Sequence, residues 1–371
     1  MLKTLSAHVL SDDLPRSRVL SVMLLLVAAY VLAAPFLFPG ARSLNVSVTI
    51  CVFLVLVGSF DLLLGYSGMV SFAHAMFYGI GAYGVGIALH KLGPSWSSIF
   101  IGAAGALALS AVLAVLMALI SLRVKAIFYT MTTLAVAAAF GALVLRMTSI
   151  TGGDDGRNFR LPEALSPAFE LMDEPVFGTM INGKLLAYYL VLVVSFLLFV
   201  LMLRIVNSRF GRVLEAIREN EFRAEAIGYR TLYYRLVISV VAALIAAVAG
   251  MLMALWLRYV GPQTTVGFNV MLNILLMAVI GGLGTIYGAV IGVVVFTVAE
   301  NYLQLLLQKG ASIFAGIPVV EHLLHPDRWL LWFGVVFVLA VYFFPTGVVG
   351  KLRERAGRGG IMMGLRARRS Q

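Results

Sequence analysis

Residues 92–122, LGPSWSSIFIGAAGALALSAVLAVLMALISL, run for 31 positions without one charged side chain. About 20 apolar residues suffice for a helix to cross a bilayer, so this stretch reads as a membrane span with its flanks. Residues 259–299 are equally free of charge and long enough for two crossings. The composition agrees. Of the 371 residues 61% are hydrophobic and 12% are charged, against about 25% charged in a soluble domain. The missing charge has to come off the surface, so much of that surface faces lipid. This excludes a soluble globule, and the net charge of +11 is read as basic loops at a membrane rather than as a nucleic-acid footprint.

Working outward, the apolar runs predict an all-α integral membrane protein with about ten crossings. They fall at 19–38, 45–64, 69–90, 98–120, 126–146, 185–206, 235–257, 265–282, 284–305 and 328–344. Segment 1–18 precedes this membrane bundle (19–344), and a basic tail, 345–371, follows it. With the N-terminus inside, 19 of the 28 lysines and arginines fall on the inner side, with eight of the 17 acids. The outer side then carries nine of each sign. The positive-inside rule selects this orientation, and an even number of crossings returns the basic tail to the same face. The first apolar run, Val19–Phe38, is as long as a full crossing, whereas a signal-peptide core has about 7–15 residues. A single cysteine, Cys51, in the run Ile50-Cys51-Val52-Phe53, excludes an intrachain disulfide and reads as a buried thiol.

Two loops are long. Residues 147–184, predicted outside, carry Asp154, Asp155, Glu163, Glu170, Asp173 and Glu174. Residues 207–234, predicted inside, contain a charged helix over 212–227 that Gly228 terminates. Glu215/Arg218 and Glu219/Arg223 stand at i,i+3 and i,i+4, spacings at which opposite charges support a helix. Held between two crossings, such a helix offers a soluble partner a place to push on both.

Glycine is the informative residue within the membrane. Gly284, Gly288 and Gly292 recur every fourth residue and predict one close-packing helix face. Gly79, Gly81, Gly84 and Gly86, with Gly65 and Gly68, each cost a helix interior about 1 kcal/mol against alanine, which predicts a helix that is broken, thin or closely packed. The most polar membrane stretch lies here, Asp61-Leu-Leu-Leu-Gly65-Tyr66-Ser67-Gly68-Met69-Val70-Ser71-Phe72-Ala73-His74. Backbone freed by a break must line a cavity or be covered by protein, and transporters place substrate contacts at such breaks. Ser67, Gly68, Ser71 and His74 are therefore the candidate pathway residues, with hydrogen bonding to neighbouring helices as the alternative. Apart from His74, no ionisable group is expected near the midplane, since Asp61 falls near the inner end of its span and Glu300 near the outer end of its own. An ion-coupled secondary transporter, the rival class, usually keeps such a relay.

Other motifs do not survive their context. Gly79-Ile-Gly81-Ala-Tyr-Gly84 spells a dinucleotide fingerprint inside a crossing, without the preceding strand the chemistry needs. Gly178–Lys184 matches a phosphate loop until Leu185 stands where Ser or Thr must ligate magnesium. Glu321, His322 and His325 cluster in a short outer loop and read as solvated side chains, so no metal and no cofactor is expected. No converging catalytic set is present.

Residues Asp61–Tyr83, DLLLGYSGMVSFAHAMFYGIGAY, resemble the signature of the larger membrane permease of branched-chain amino acid ABC importers. Gly211–Arg235 is similar to that family's coupling loop, with Glu225-Ala226-Ile227-Gly228 in place of its Glu-Ala-Ala…Gly core. Ile227 departs from the usual second alanine. Met277–Gly292 and Phe343–Gly350 resemble the family's closing motifs, so the likeness runs in order from about residue 45 to residue 350. It implies an ABC importer permease in the bacterial plasma (inner) membrane, both termini cytoplasmic. It also implies a second permease subunit forming a heterodimer, two cytoplasmic ATP-binding subunits and an external binding protein. The implied substrate is leucine, isoleucine or valine, with urea or short-chain amides as the alternative within the family. On that reading Glu215, Arg218, Glu219, Glu225, Ala226 and Gly228 couple the ATPase to the pathway, and hydrolysis belongs to the separate subunits.

Overall fold

The structure is a computed structural model that describes residues 18–37, 40–121, 126–170, 181–313, 325, 328–343, 347 and 349–350. The apolar runs become helices: α1 (Arg18–Leu37), α2 (Ala41–Asp61), α3 (His74–Leu92), α4 (Trp96–Ser121) and α5 (Ala126–Arg146). After the long loop come α6 (Gly183–Asn207), α7 (Arg209–Glu219), α8 (Glu221–Ala226) and α9 (Thr231–Leu257). The chain ends on α10 (Pro262–Thr265), α11 (Phe268–Gly281), α12 (Ile286–Ile313) and α13 (Trp329–Phe343). The boundaries have local causes. Asn182 caps α6, its side chain accepting from the Leu185 N–H at 3.1 Å. Gly93 ends α3, and Gly267, extended, precedes α11.

Eight helical stretches among the described residues are long and apolar enough to cross a membrane. The expected crossings at 69–90 and 328–344 correspond to α3 and α13, which fall outside that set. The described part of α13 has 15 residues. α3 carries His74, His90, Lys91 and four glycines, which lower its hydropathy. It has no need to be apolar, because α9, α4 and α10 surround it and protein rather than lipid sees its side chains. Eight of the ten expected crossings are thus matched by long apolar helices among the described residues. Burial divides them: α2 with its extension to Tyr66 is 83% buried, whereas α5 is 17% buried and faces outward.

Close approach makes the centre dense. α3 and α9 cross where a methyl group on Gly81 would lie 1.8 Å from the Ala247 carbonyl oxygen. The contact is reciprocal, since one on Gly250 would lie 1.8 Å from the Tyr78 carbonyl oxygen. Small residues at both crossing points let the backbones touch.

The expected break in the glycine-rich region lies ahead of α3. α2 passes into a π-helical turn, Leu62–Tyr66, and residues 68–73 are not helical. At the opposite end of α3 the long loop is anchored by a two-stranded ladder. There β1 (Arg157–Asn158) pairs antiparallel with β2 (Tyr259–Val260), and Tyr259 Oη donates to the Asp155 carbonyl at 3.0 Å. Asp173, Glu174, Glu321, His322, most of the phosphate-loop-like run, segment 1–17 and the tail from 351 lie outside the described residues.

Candidate functional site

The sequence between α6 and α9 forms two helices, not the single helix expected over 212–227. Ser208 caps α7, accepting from the Gly211 N–H at 3.3 Å, and α7 is amphipathic. Val213, Leu214 and Ile217 are buried, while Arg212, Glu215, Arg218 and Glu219 are exposed. At Asn220 the backbone turns extended (φ −159°), and its side-chain oxygen accepts from the Arg223 N–H at 2.9 Å, starting α8. The break separates Glu219 from Arg223, and these two make no ion pair among the described residues. The ion pair that does form ties α8 back to α9, Glu221 to Arg235 at 2.6 Å. A second tie is Thr231 Oγ1 donating to Glu225 Oε1 at 2.8 Å. Gly228 turns the chain at φ +95°. With both ties made inward, the tip of this hairpin presents Phe222, 86% exposed, and Ile227, 69% exposed. Ala226 and Gly228 lie beside them, also exposed.

Arg218 has a different surrounding from its neighbours on α7. Its guanidinium donates to the carbonyl oxygen of Gly65, inside the π-helical turn of the broken segment. The stem of the same side chain lies over Gly68, where an added Cβ would come within 3.3 Å of Arg218 Cγ. One helical turn before Gly65, Asp61 is buried, and its Oδ1 accepts from the Gly284 N–H at 2.9 Å. Asp61 Oδ2 has no hydrogen-bond partner among the described residues. A Cβ on Gly65 would collide with Asp61 and with Gly284, so three pieces of chain meet in one place. They are the hairpin, the broken segment and the 282–285 turn between α11 and α12. Gly68 (φ +71°) and Gly284 (φ +79°) adopt the left-handed conformation that side chains resist.

Gly284 therefore stands in a turn ahead of α12, not on a face shared with Gly288 and Gly292. Those two pack onto α11, with positions for a Cβ 2.6 Å from the Gly282 carbonyl oxygen and 1.9 Å from that of Met277.

The backbone freed by the break is satisfied largely by protein. Met69 N–H donates to the Leu63 carbonyl at 3.0 Å. Two threonines of α5, absent from the residues selected by sequence, add two more bonds. Thr133 Oγ1 accepts from the Phe72 N–H and Thr130 Oγ1 donates to the Val70 carbonyl, both at 3.1 Å. Ser67, Ser71 and His74 are buried. Ser67 Oγ donates to the Leu63 carbonyl at 2.8 Å, and Ser71 Oγ accepts from the Ala73 N–H at 3.4 Å. His74 Nε2 lies 3.1 Å from Ser59 Oγ, and its ring meets Phe60 edge-on at 5.4 Å. Gly68 is exposed at the hairpin end.

Two cavities open on the bundle, and none of these four residues lines either. One, of about 380 Å³, lies between α3, α5 and the 262–271 segment, bounded by Phe72, Met76, Leu134, Gln263, Val266 and Phe268. Its wall is apolar apart from one amide and begins at the break. The other, about 470 Å³, lies between α3, α4 and α5 with Lys91 among its lining residues.

Comparison with known proteins gives the family. The family model for the permease component of branched-chain amino acid transport systems matches residues 42–341. The high-affinity branched-chain amino acid transport permease LivM of Escherichia coli is 26% identical over 322 residues, covering 83% of this chain and 74% of that protein. BraD of Pseudomonas aeruginosa, named for the same transport function, is 27% identical over 80% of this chain and 91% of its own length. LivH of Escherichia coli, likewise a branched-chain amino acid permease by name, is 25% identical with the same coverage. No solved structure matches the chain significantly.

Proposed function

The chain belongs to the branched-chain amino acid transport permease family, and we propose that it forms one half of the membrane channel of an ATP-driven importer. Its partners are a second permease subunit, two ATP-hydrolysing subunits on the hairpin side and a substrate-binding protein on the other side. The hairpin side is cytoplasmic, carries both termini, and the membrane is the bacterial plasma membrane. The observation that carries this reading is the α7–α8 hairpin. It exposes Phe222 and Ile227 at one end of the bundle while its far side is tied to a break in a central helix. Large exposed apolar side chains on a rigid, charged hairpin suit a protein partner, since interface centres favour such anchors within a polar rim.

Substrate class follows from the relatives, which are named for branched-chain amino acids. The 380 Å³ cavity supports it: ligand pockets start at about 300 Å³ and combine apolar walls with few polar groups. Phe72, Met76, Val266 and Phe268 suit an aliphatic side chain, with the Gln263 amide as the polar contact. The loop 147–170, anchored at β1–β2 and exposing Asp154, Asp155 and Glu163, serves as docking ground for the binding protein.

Uptake by the reconstituted complex is the test. It should require ATP and the binding protein, survive an uncoupler, and be competed by leucine, isoleucine and valine but not by urea or acetamide. Uptake that collapses with the uncoupler and ignores ATP would make the protein a secondary transporter. Gly228→Glu and Glu225→Lys should each abolish uptake while the chain still inserts. Normal uptake in both would remove the hairpin as the docking element.

A further inference from the structure

A long side chain on α7 could serve the partner that docks on the hairpin, and for Arg212, Glu215 and Glu219 the outward direction fits that role. Arg218 is exposed as they are, but its guanidinium reaches back to the bundle. A guanidinium offers five rigid donors, one of which this backbone carbonyl takes. The carbonyl it meets belongs to Gly65, in a π-helical turn. π turns occur where a helix carries one residue too many, and they concentrate at functional positions. Three glycines surround this bond. Gly65, Gly68 and Gly284 all present bare backbone to Arg218 or to one another, with an added Cβ on Gly284 only 3.0 Å from Arg218 Nη1. At these glycines a displacement of Arg218 is met by backbone directly.

The second half of the linkage is Asp61. It closes the turn before α12 onto α2 through the Gly284 N–H at 2.9 Å. A buried carboxylate with one oxygen unpartnered is costly, and alanine or serine at this position would avoid that cost. What the carboxylate supplies is a strong acceptor joining two segments 223 residues apart in sequence.

We propose that Arg218 and Asp61 are the positioning residues through which movement of the hairpin reaches the membrane pathway. Arg218 carries it to the broken segment at Gly65, and Asp61 extends it from there to the α11–α12 turn. The inference rests on the reading of the hairpin as the ATPase dock, and it adds the route from that dock into the bundle. The 380 Å³ cavity begins at Phe72, past the break that Arg218 holds, so a shift of residues 65–71 changes its wall.

The complete complex in proteoliposomes, with its ATPases, second permease and binding protein, tests this by measuring uptake and ATP hydrolysis together. Arg218→Ala should assemble normally and hydrolyse ATP at close to the wild-type rate. Its uptake per ATP should fall about tenfold or more, within the range of typical coupling energies. Arg218→Lys, which keeps a donor for one carbonyl, should recover part of the loss. Asp61→Asn keeps an acceptor for Gly284 and should lose less than Asp61→Ala. Unchanged uptake per ATP in Arg218→Ala overturns the proposal. So does a parallel fall of hydrolysis and uptake, which would make Arg218 a docking contact, and so does failure of the chain to assemble, which would make it a folding residue. Gly228→Glu in the same assay separates the two levels. If it abolishes uptake while Arg218→Ala is silent, the dock stands and the linkage fails. If it too is silent, the dock itself fails.

Discussion

Gly81 and Gly250 lie within unbroken helices, whereas Gly65, Gly68 and Gly284 lie where the helical ladder is interrupted. The first pair exists so that α3 and α9 can touch along their backbones, in a region where every neighbour is fixed by close packing. The second set exposes backbone to one arginine and one aspartate, at the end of the bundle where the hairpin attaches. The same residue type thus builds a close-packed centre and a joint between separate segments. The difference lies in what surrounds the missing side chain: a carbonyl of a continuous helix in one case, a hydrogen bond between separate segments in the other.

That contrast can be broken from the close-packed side most severely. Gly81→Leu places a side chain where a carbonyl oxygen already sits, and it should cost well over the ~1–3 kcal/mol typical of overpacking. The expected outcome is loss of monodisperse protein on size exclusion after extraction in mild detergent. Normal yield would mean that α3 and α9 are further apart than described. At the joint, Asp61→Ala strands the Gly284 N–H and should lower stability by about 1–3 kcal/mol. It should still yield folded protein, with a lower melting temperature and impaired uptake. His74→Ala belongs with the close-packed centre, because the ring is enclosed with Ser59 and Phe60. It should reduce thermal stability by about 1–3 kcal/mol through the cavity the ring leaves, Ser59 keeping its bond to the Leu56 carbonyl, and leave the apparent affinity for substrate unchanged. A changed affinity would return His74 to the pathway. The smallest effect is expected for Arg235→Ala. Its ion pair with Glu221 is partly exposed and is worth under about 1 kcal/mol, measurable as a small shift in melting temperature.

Legibility in sequence follows the same division. The spans could be read because lipid imposes length and apolarity, and the break because Gly65, Gly68 and their polar neighbours contradict a helix. α3 was legible as a crossing, at 69–90, but not as the helix that the others surround. Its glycines, tyrosines and histidines depress hydropathy, and only the helices around it explain why that is tolerated. The direction of Arg218 was not legible. An i,i+3 spacing from Glu215 puts it on the charged face of α7, and nothing local says that a carbonyl 153 residues away waits for it. The division of the hairpin did have a signal, since Asn220 is a favoured cap and the Arg223 N–H stands three positions on. A four-residue spacing misplaced Gly284, because periodicity cannot register that the helix has yet to begin. The threonines that complete the break, Thr130 and Thr133, were invisible for the same reason as Arg218: their work lies on another segment.

A covalent substitute for the arginine gives the most direct measurement. A Cβ added at Gly68 would lie 3.8 Å from Arg218 Cβ, which is the mean separation across a disulfide, about 3.8 Å. In a Gly68→Cys, Arg218→Cys double variant the natural link is gone, so under reducing conditions uptake per ATP should be low. Oxidation joins the hairpin to the broken segment again, and uptake per ATP should rise toward the wild-type value, then fall on adding reductant. If oxidation leaves uptake low or stops it altogether, the hairpin and the break do not move as one body, and the linkage described for Arg218 is contradicted.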